Sequence, residues 1–141
     1  MKLYHISADI KRTDNPVTPR IPDLGEKETC AEDLTIPRIC FSETVNGCIS
    51  ALPPQNRSQI ASVKSKFVLY EINTEDYPSS FFISNEEIVK RRLVYDANLT
   101  KEWWVIKPVR LIGKVCEITN IKAGPVLNFS LIDPAEVVQT A

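Results

Sequence analysis

An α+β fold is what this sequence predicts, and three observations predict it. Short runs of β-branched and aromatic residues outnumber the helical patterns. They do not alternate regularly with those patterns, which argues against a doubly wound parallel sheet. The length of 141 residues suits one domain spanning the whole chain, large enough to bury a core without metals or disulfides.

Leu3-Tyr4-His5-Ile6-Ser7 is short, aromatic and β-branched, and reads as the first strand. From about Ala8 to Pro37 the chain has prolines at 16, 19, 22 and 37 and no sustained periodicity. A connection of that length exceeds the roughly 12–15 residues usual in compact domains and is expected to be functional or disordered. Within it Pro19 and Pro22 bracket Arg20-Ile21, fixing φ on either side and restraining the arginine. Arg38 to Ser42 is the second strand. Val45, Cys48, Ile49 and Leu52 then recur at helical spacing behind Ser42, a residue suited to capping, until Pro53-Pro54 stops the helix.

Gln55 to Lys66 is mostly polar and reads as a connection, and Phe67 to Ile72 as a strand. Phe81 to Ile83 is a brief apolar run. Ser84-Asn85-Glu86-Glu87 has capping-box spacing and opens a helix that ends near Leu93, with Lys90-Arg91-Arg92 at its C-terminal end. Trp103 to Ile106 and Val109 to Ile118 are strands parted by Pro108, which cannot donate to a ladder. Ala123-Gly124-Pro125 predicts a turn, Val126 to Leu131 a strand, and Asp133-Pro134 the start of a short terminal helix.

Composition is that of an ordinary soluble globular protein, 43% hydrophobic and 25% charged. A formal net charge of -1 exerts no global pull toward nucleic acid or an anionic membrane. No apolar run nears the roughly 18 residues of a membrane span, and the first residues lack the apolar core of a secretory signal. A cytoplasmic setting with free thiols is therefore expected for the four cysteines. None has C-x-x-C spacing, and with a single histidine a structural zinc site is not expected. Four glycines, none at G-x-G-x-x-G spacing, also argue against Rossmann and P-loop binding.

The residues that could carry chemistry sit in or beside the strands. His5 reads as a core histidine or as a ligand contact offering one donor and one acceptor. Glu102, directly before Trp103-Trp104, is a solvated strand start or a carboxylate held in a dry site. Ser42 and Arg38 are a cap and a surface base, or members of the same site. Arg20 is a loop arginine, or a planar fork for phosphate oxygens. Cys40 and Cys48 would need His5 as a base, and Cys48, on the apolar helix face, reads as an inert packed thiol. Trp103 and Trp104 must leave a strand on opposite faces, one into the core.

Taken in order, Leu-Tyr-His-Ile-Ser, Arg-Ile-Cys-Phe-Ser and Glu-Trp-Trp-Val-Ile-Lys-Pro-Val resemble the three strand motifs of the ADP-ribosyltransferase superfamily, in its poly-ADP-ribose polymerase-like branch. The short chain and proline-rich loop are also similar to phage and bacterial accessory proteins on a reduced transferase scaffold. The resemblance implies a split β-sandwich of two mostly antiparallel sheets with a few short helices. It implies NAD as substrate, with Glu102 catalytic and His5, Ser7, Arg20, Arg38 and Ser42 contacting the dinucleotide. The acceptor, a protein among the options, is not specified by it. One departure stands out: Cys40 occupies the position of a nicotinamide-stacking tyrosine. That departure keeps a second expectation open, a non-catalytic protein that uses the same scaffold to bind a partner or a nucleotide-derived ligand.

Overall fold

The computed structural model describes residues 1–7, 16–22, 32–50, 66–111, 113–118, 122–123, 130–131 and 137–139. Among them the main body is one antiparallel sheet of seven strands in the order β11-β8-β4-β1-β3-β6-β5. Its members are β1 (Lys2–Ser7), β3 (Ile39–Ser42), β4 (Lys66–Asn73), β5 (Phe82–Ile83), β6 (Glu102–Val105), β8 (Gly113–Ile118) and β11 (Val137–Gln139). Two further pairs, β2 (Pro16–Val17) with β7 (Val109–Arg110) and β9 (Lys122–Ala123) with β10 (Ser130–Leu131), stand outside it. The helices are short: α1 (Val45–Ser50), α2 (Asn85–Lys90) and α3 (Ala97–Thr100). The expected α+β class is therefore present.

β4 explains the layering. Phe67, Val68, Tyr70 and Ile72 are all buried, and a strand apolar on both faces must be covered on both. One face of the sheet carries Leu3, Ile39, Phe41, Val68, Tyr70, Ile72 and Val105, packed with Val17, Val109 and Leu111 from the β2–β7 ribbon and its continuation. On the other face α1 sets Cys48 and Ile49 against Ile6, Phe67 and Cys116. Beside it α2 and α3 bring Ile88 and Ala97, with Leu93 and Val94 between them, onto Trp104.

The β1–β4 ladder runs unbroken from Lys2↔Asn73 to Ser7↔Val68, and β4–β8 from Lys66↔Glu117 to Tyr70↔Gly113. Gly113 is needed at that last step, since a Cβ there would lie 2.1 Å from Val68 Cγ1 and 2.7 Å from Tyr70 Cε1. β3 pairs with β6 over four positions, from Ile39↔Val105 to Ser42↔Glu102. Between β1 and β3 the register holds at a single position, Tyr4↔Ser42. The sheet thus has a seam through its middle.

Several local expectations change. The run from Val109 to Ile118 is two strands in two sheets, because β7 pairs with β2 while β8 pairs with β4. Ser84 caps α2 as expected, accepting from Glu87 N at 3.2 Å. Thr44, not Ser42, caps α1: its Oγ1 accepts from Gly47 N at 2.9 Å, while Ser42 stays in β3. α3 was not legible, since four residues present no period. Ala123 is in β9 rather than a turn, and Val137–Gln139 form a strand where the terminal helix was expected to run. Gly124-Pro125, Val126 to Phe129 and Asp133-Pro134 lie outside the described residues, as does nearly all of the Gln55-to-Lys66 connection.

Candidate functional site

The three strands singled out by sequence, β1, β3 and β6, are neighbours in the sheet. Tyr4, Ser42 and Glu102 lie in one cross-strand row. Beyond that row β1 and β3 part, and a ladder bond between them is replaced by a side chain. The His5 ring nitrogen Nδ1 lies 2.7 Å from Cys40 O. A carbonyl only accepts, so Nδ1 carries the proton in this contact. The ring sits between Phe41, at 5.4 Å between centroids, and Tyr70, at 5.7 Å.

A cavity of about 100 Å³ opens at the seam. β1 supplies His5 and Ile6, β3 supplies Cys40, Phe41 and Ser42, and α1 supplies Gly47 and Cys48; Thr100 and Glu102 complete the lining. Gly47 is what lets α1 come so close: a Cβ there would lie 2.1 Å from both Ser42 Oγ and Thr100 O. Ser42 Oγ donates to Thr100 O at 2.6 Å and accepts from Thr44 N at 3.1 Å. Its hydroxyl proton is therefore already committed.

Glu102 is buried at 6% exposure. The Trp104 indole Nε1–H donates to its Oε1 at 2.7 Å, and Asn85 Nδ2 donates to its backbone carbonyl at 3.0 Å and to Ala97 O at 2.8 Å. Burial pushes the carboxyl above its ordinary value of 4.5; the Trp104 N–H and the Cys40 thiol pull it back, while the charges of Glu32 and Asp96 push it further up. A buried carboxyl shifted in this way and bordering a cavity is a candidate functional group.

The thiols are not nucleophiles here. Burial, followed by the charge of Glu102, drives the Cys40 thiol well above its normal value. Burial pushes Cys48 up to about 12, and its Sγ donates to Tyr4 O at 3.0 Å. Both stay protonated at neutral pH, and a thiol rather than a thiolate does not attack. Among the described residues no group of three His, Cys, Asp or Glu side chains is placed to hold a metal ion. No helix among them is long and apolar enough to cross a membrane.

Of the residues singled out in the sequence, the structure brings His5, Ser42 and Glu102 to the cavity wall. The pleat separates them in direction, however: His5 leaves β1 on the side of Phe41 and Tyr70, while Ser42 and Glu102 leave on the side of Trp104. Ser7 ends β1 opposite Val68 and is not in the lining. Arg20 is exposed and bridges Arg38 through backbone bonds of 3.1 and 2.9 Å. Arg38 is buried at 2%, its guanidinium ion-paired with Glu32 and donating to Asp33 O at 2.7 Å and Ile36 O at 3.1 Å. Neither arginine lines the cavity. Sequence reasoning missed Gly47 and Thr100, whose roles are made by backbone approach, and Asn85, whose side-chain amide serves two carbonyls; none of them leaves a spacing signal. Trp104 fills the core and Trp103 is half-buried on the other face, as strand alternation requires.

No protein-family model, no curated protein and no solved structure matches this chain.

Proposed function

We propose that this domain cleaves the nicotinamide–ribose bond of NAD, transferring ADP-ribose to an acceptor or to water, with Glu102 as the catalytic carboxylate. The observation that carries the reading is the buried carboxylate of Glu102 beside Ser42 at one cavity where the sheet opens, with His5 on the neighbouring strand bordering the same opening from the other face. The strand order, which sets the three motif-bearing strands side by side, supports the resemblance, and the split β-sandwich of that superfamily is proposed on the resemblance.

The chemistry asks for what Glu102 offers. As the C–N bond breaks, nicotinamide leaves with the bonding pair and positive charge grows on the sugar, as it does in glycoside hydrolysis. A fixed carboxylate in a dry site stabilises that charge and orients the acceptor, whose proton is lost as its oxygen or nitrogen joins the anomeric carbon. A cavity of about 100 Å³ is smaller than the roughly 300–1,000 Å³ that takes a whole small ligand. It therefore receives one ring of the dinucleotide, the remainder lying over its mouth. A cytoplasmic phage or bacterial accessory protein is the setting that fits this reading, with the acceptor, a protein among the options, left open.

Nicotinamide release from NAD tests it. Glu102→Gln keeps size and removes charge, and is expected to lower release by roughly 10²–10³-fold, the usual cost of deleting one preorganised electrostatic group. Release that persists unchanged in that variant removes Glu102 from the mechanism. A second reading, a non-catalytic protein binding a partner or a nucleotide-derived ligand, is favoured by the prior commitment of the Ser42 hydroxyl to Thr100 O. Calorimetry with NAD and ADP-ribose separates the two: a binding heat with no nicotinamide release would select this one.

A further inference from the structure

Arg38 presents a problem that the site leaves unsolved. A guanidinium at 2% exposure is costly to bury, and burial is tolerated only where partners are well placed. Glu32 pairs with it, and two backbone carbonyls accept from Nη1. Its Nε has no hydrogen-bond partner among the described residues. What the group does have is a flat neighbour: its central carbon lies 3.9 Å from the centroid of the Trp104 ring. Arginine stacks on an aromatic face in a way lysine cannot.

We propose that Arg38, held by Glu32, is a positioning residue that acts on Glu102 through Trp104. The guanidinium fixes the plane of the indole, and the indole N–H, donating at 2.7 Å, fixes one carboxylate oxygen at the cavity wall. The chain of contacts starts at Glu32, outside the cavity, and ends on the one carboxylate that lines it. Its effect is geometric rather than electrostatic, because the charge of Arg38 is already met by Glu32. The other groups facing Glu102 are the Cys40 thiol from β3 and the charges of Glu32 and Asp96, and none of them fixes the indole. Trp103, the next residue along, supplies a comparison within the same strand: its Nε1–H donates to Glu43 Oε1 at 2.9 Å with no guanidinium over its ring among the described contacts.

The role of Arg38 in catalysis rests on the proposed NAD cleavage, but its hold on Trp104 does not, and the test reads both. The indole N–H signals of Trp103 and Trp104 are followed by nuclear magnetic resonance across pH, with nicotinamide release measured on the same proteins. In wild-type protein the Trp104 signal should titrate with Glu102 and lose that titration in Glu102→Gln. In Arg38→Lys, which keeps charge and loses the planar stack, the Trp104 signal should shift and its midpoint move, while the Trp103 signal stays in place. Release should fall through kcat by roughly 10²-fold, the cost of a misplaced group, with KM nearly unchanged. Trp104→Phe, which keeps a ring for Arg38 and deletes only the N–H, should reproduce the kcat loss and move the acid limb of the pH profile upward. It serves if Arg38→Lys does not fold. A Trp104 signal and midpoint in folded Arg38→Lys identical to wild type overturns the proposal, as does wild-type kcat and acid limb in folded Trp104→Phe. Wild-type protein that releases no nicotinamide, yet shows the Trp104 shift in Arg38→Lys, supports the positioning chain and sinks the transfer reading instead.

Discussion

The two halves of the seven-stranded sheet satisfy their backbones by different means. In the half that contains β8, β4 and β1, the two long ladders do it, with β1–β4 paired along the whole of β1. In the half made of β3, β6 and β5 the ladders are shorter, and polar side chains take over at their ends. His5 serves Cys40 O, Ser42 serves Thr100 O, Asn85 serves Ala97 O and Glu102 O, and Arg38 serves Asp33 O and Ile36 O. Buried carbonyls must find donors somewhere. Polar residues that look like ligand contacts in the sequence are thus, in this half, partners of the backbone first. Only Glu102 among them places a buried carboxylate at the cavity.

The glycines sharpen that contrast most. Gly47 faces a backbone oxygen, Thr100 O, whereas Gly113 faces side-chain atoms of Val68 and Tyr70. Backbone cannot swing aside. Gly47→Ala is therefore expected to cost about 3 kcal/mol, the upper part of the usual overpacking range, and to close the cavity. Gly113→Ala should cost less, since Val68 and Tyr70 have rotamers to yield. Urea unfolding of the two variants side by side decides it, and equal losses would erase the distinction between the halves.

A smaller effect is expected at the seam. His5→Phe keeps the ring against Phe41 and Tyr70 but deletes the donor to Cys40 O. Leaving that carbonyl unpaired should cost about 1 kcal/mol, the low end for a group not fully buried. A stability equal to wild type would mean the imidazole does not hold the seam.

The smallest effect is a slope rather than a loss. The folded carboxyl of Glu102 titrates above its ordinary value of 4.5, first because of burial. Just above that pH the unfolded chain has released the proton while the folded one still binds it, so rising pH favours unfolding. The contribution of Glu102 is fully present below 4.5 and is lost as pH rises through the raised folded value. Stability of wild type relative to Glu102→Gln should accordingly decline over that window and then level off. A difference that stays flat with pH would show that the carboxyl is not desolvated in solution.

Much of the first-order structure was legible. β1, β3, β4 and β6 follow from dense β-branched and aromatic runs, and α2 from the spacing of Ser84 and Glu87, because these signals depend on neighbours along the chain. Glu102 could be singled out by its place directly before two tryptophans and by the resemblance of that segment, although a solvated strand start is the commoner reading of such a residue. Its orientation could not be read, because Trp104, Asn85 and Cys40 reach it from separate parts of the fold. Arg38 shows the limit most clearly. Its place at the head of β3 was written in the sequence, and a surface base or a dinucleotide contact was the expectation. Only packing decided that Glu32 and the face of Trp104 would enclose it. The seam is of the same kind: each strand was fixed by its own residues, but that β1 and β3 share only one register pair is a feature of the assembled sheet, which no neighbour along the chain announces. Local sequence determines which segments extend or coil; which polar groups then face one another is settled by where the buried backbone still lacks partners.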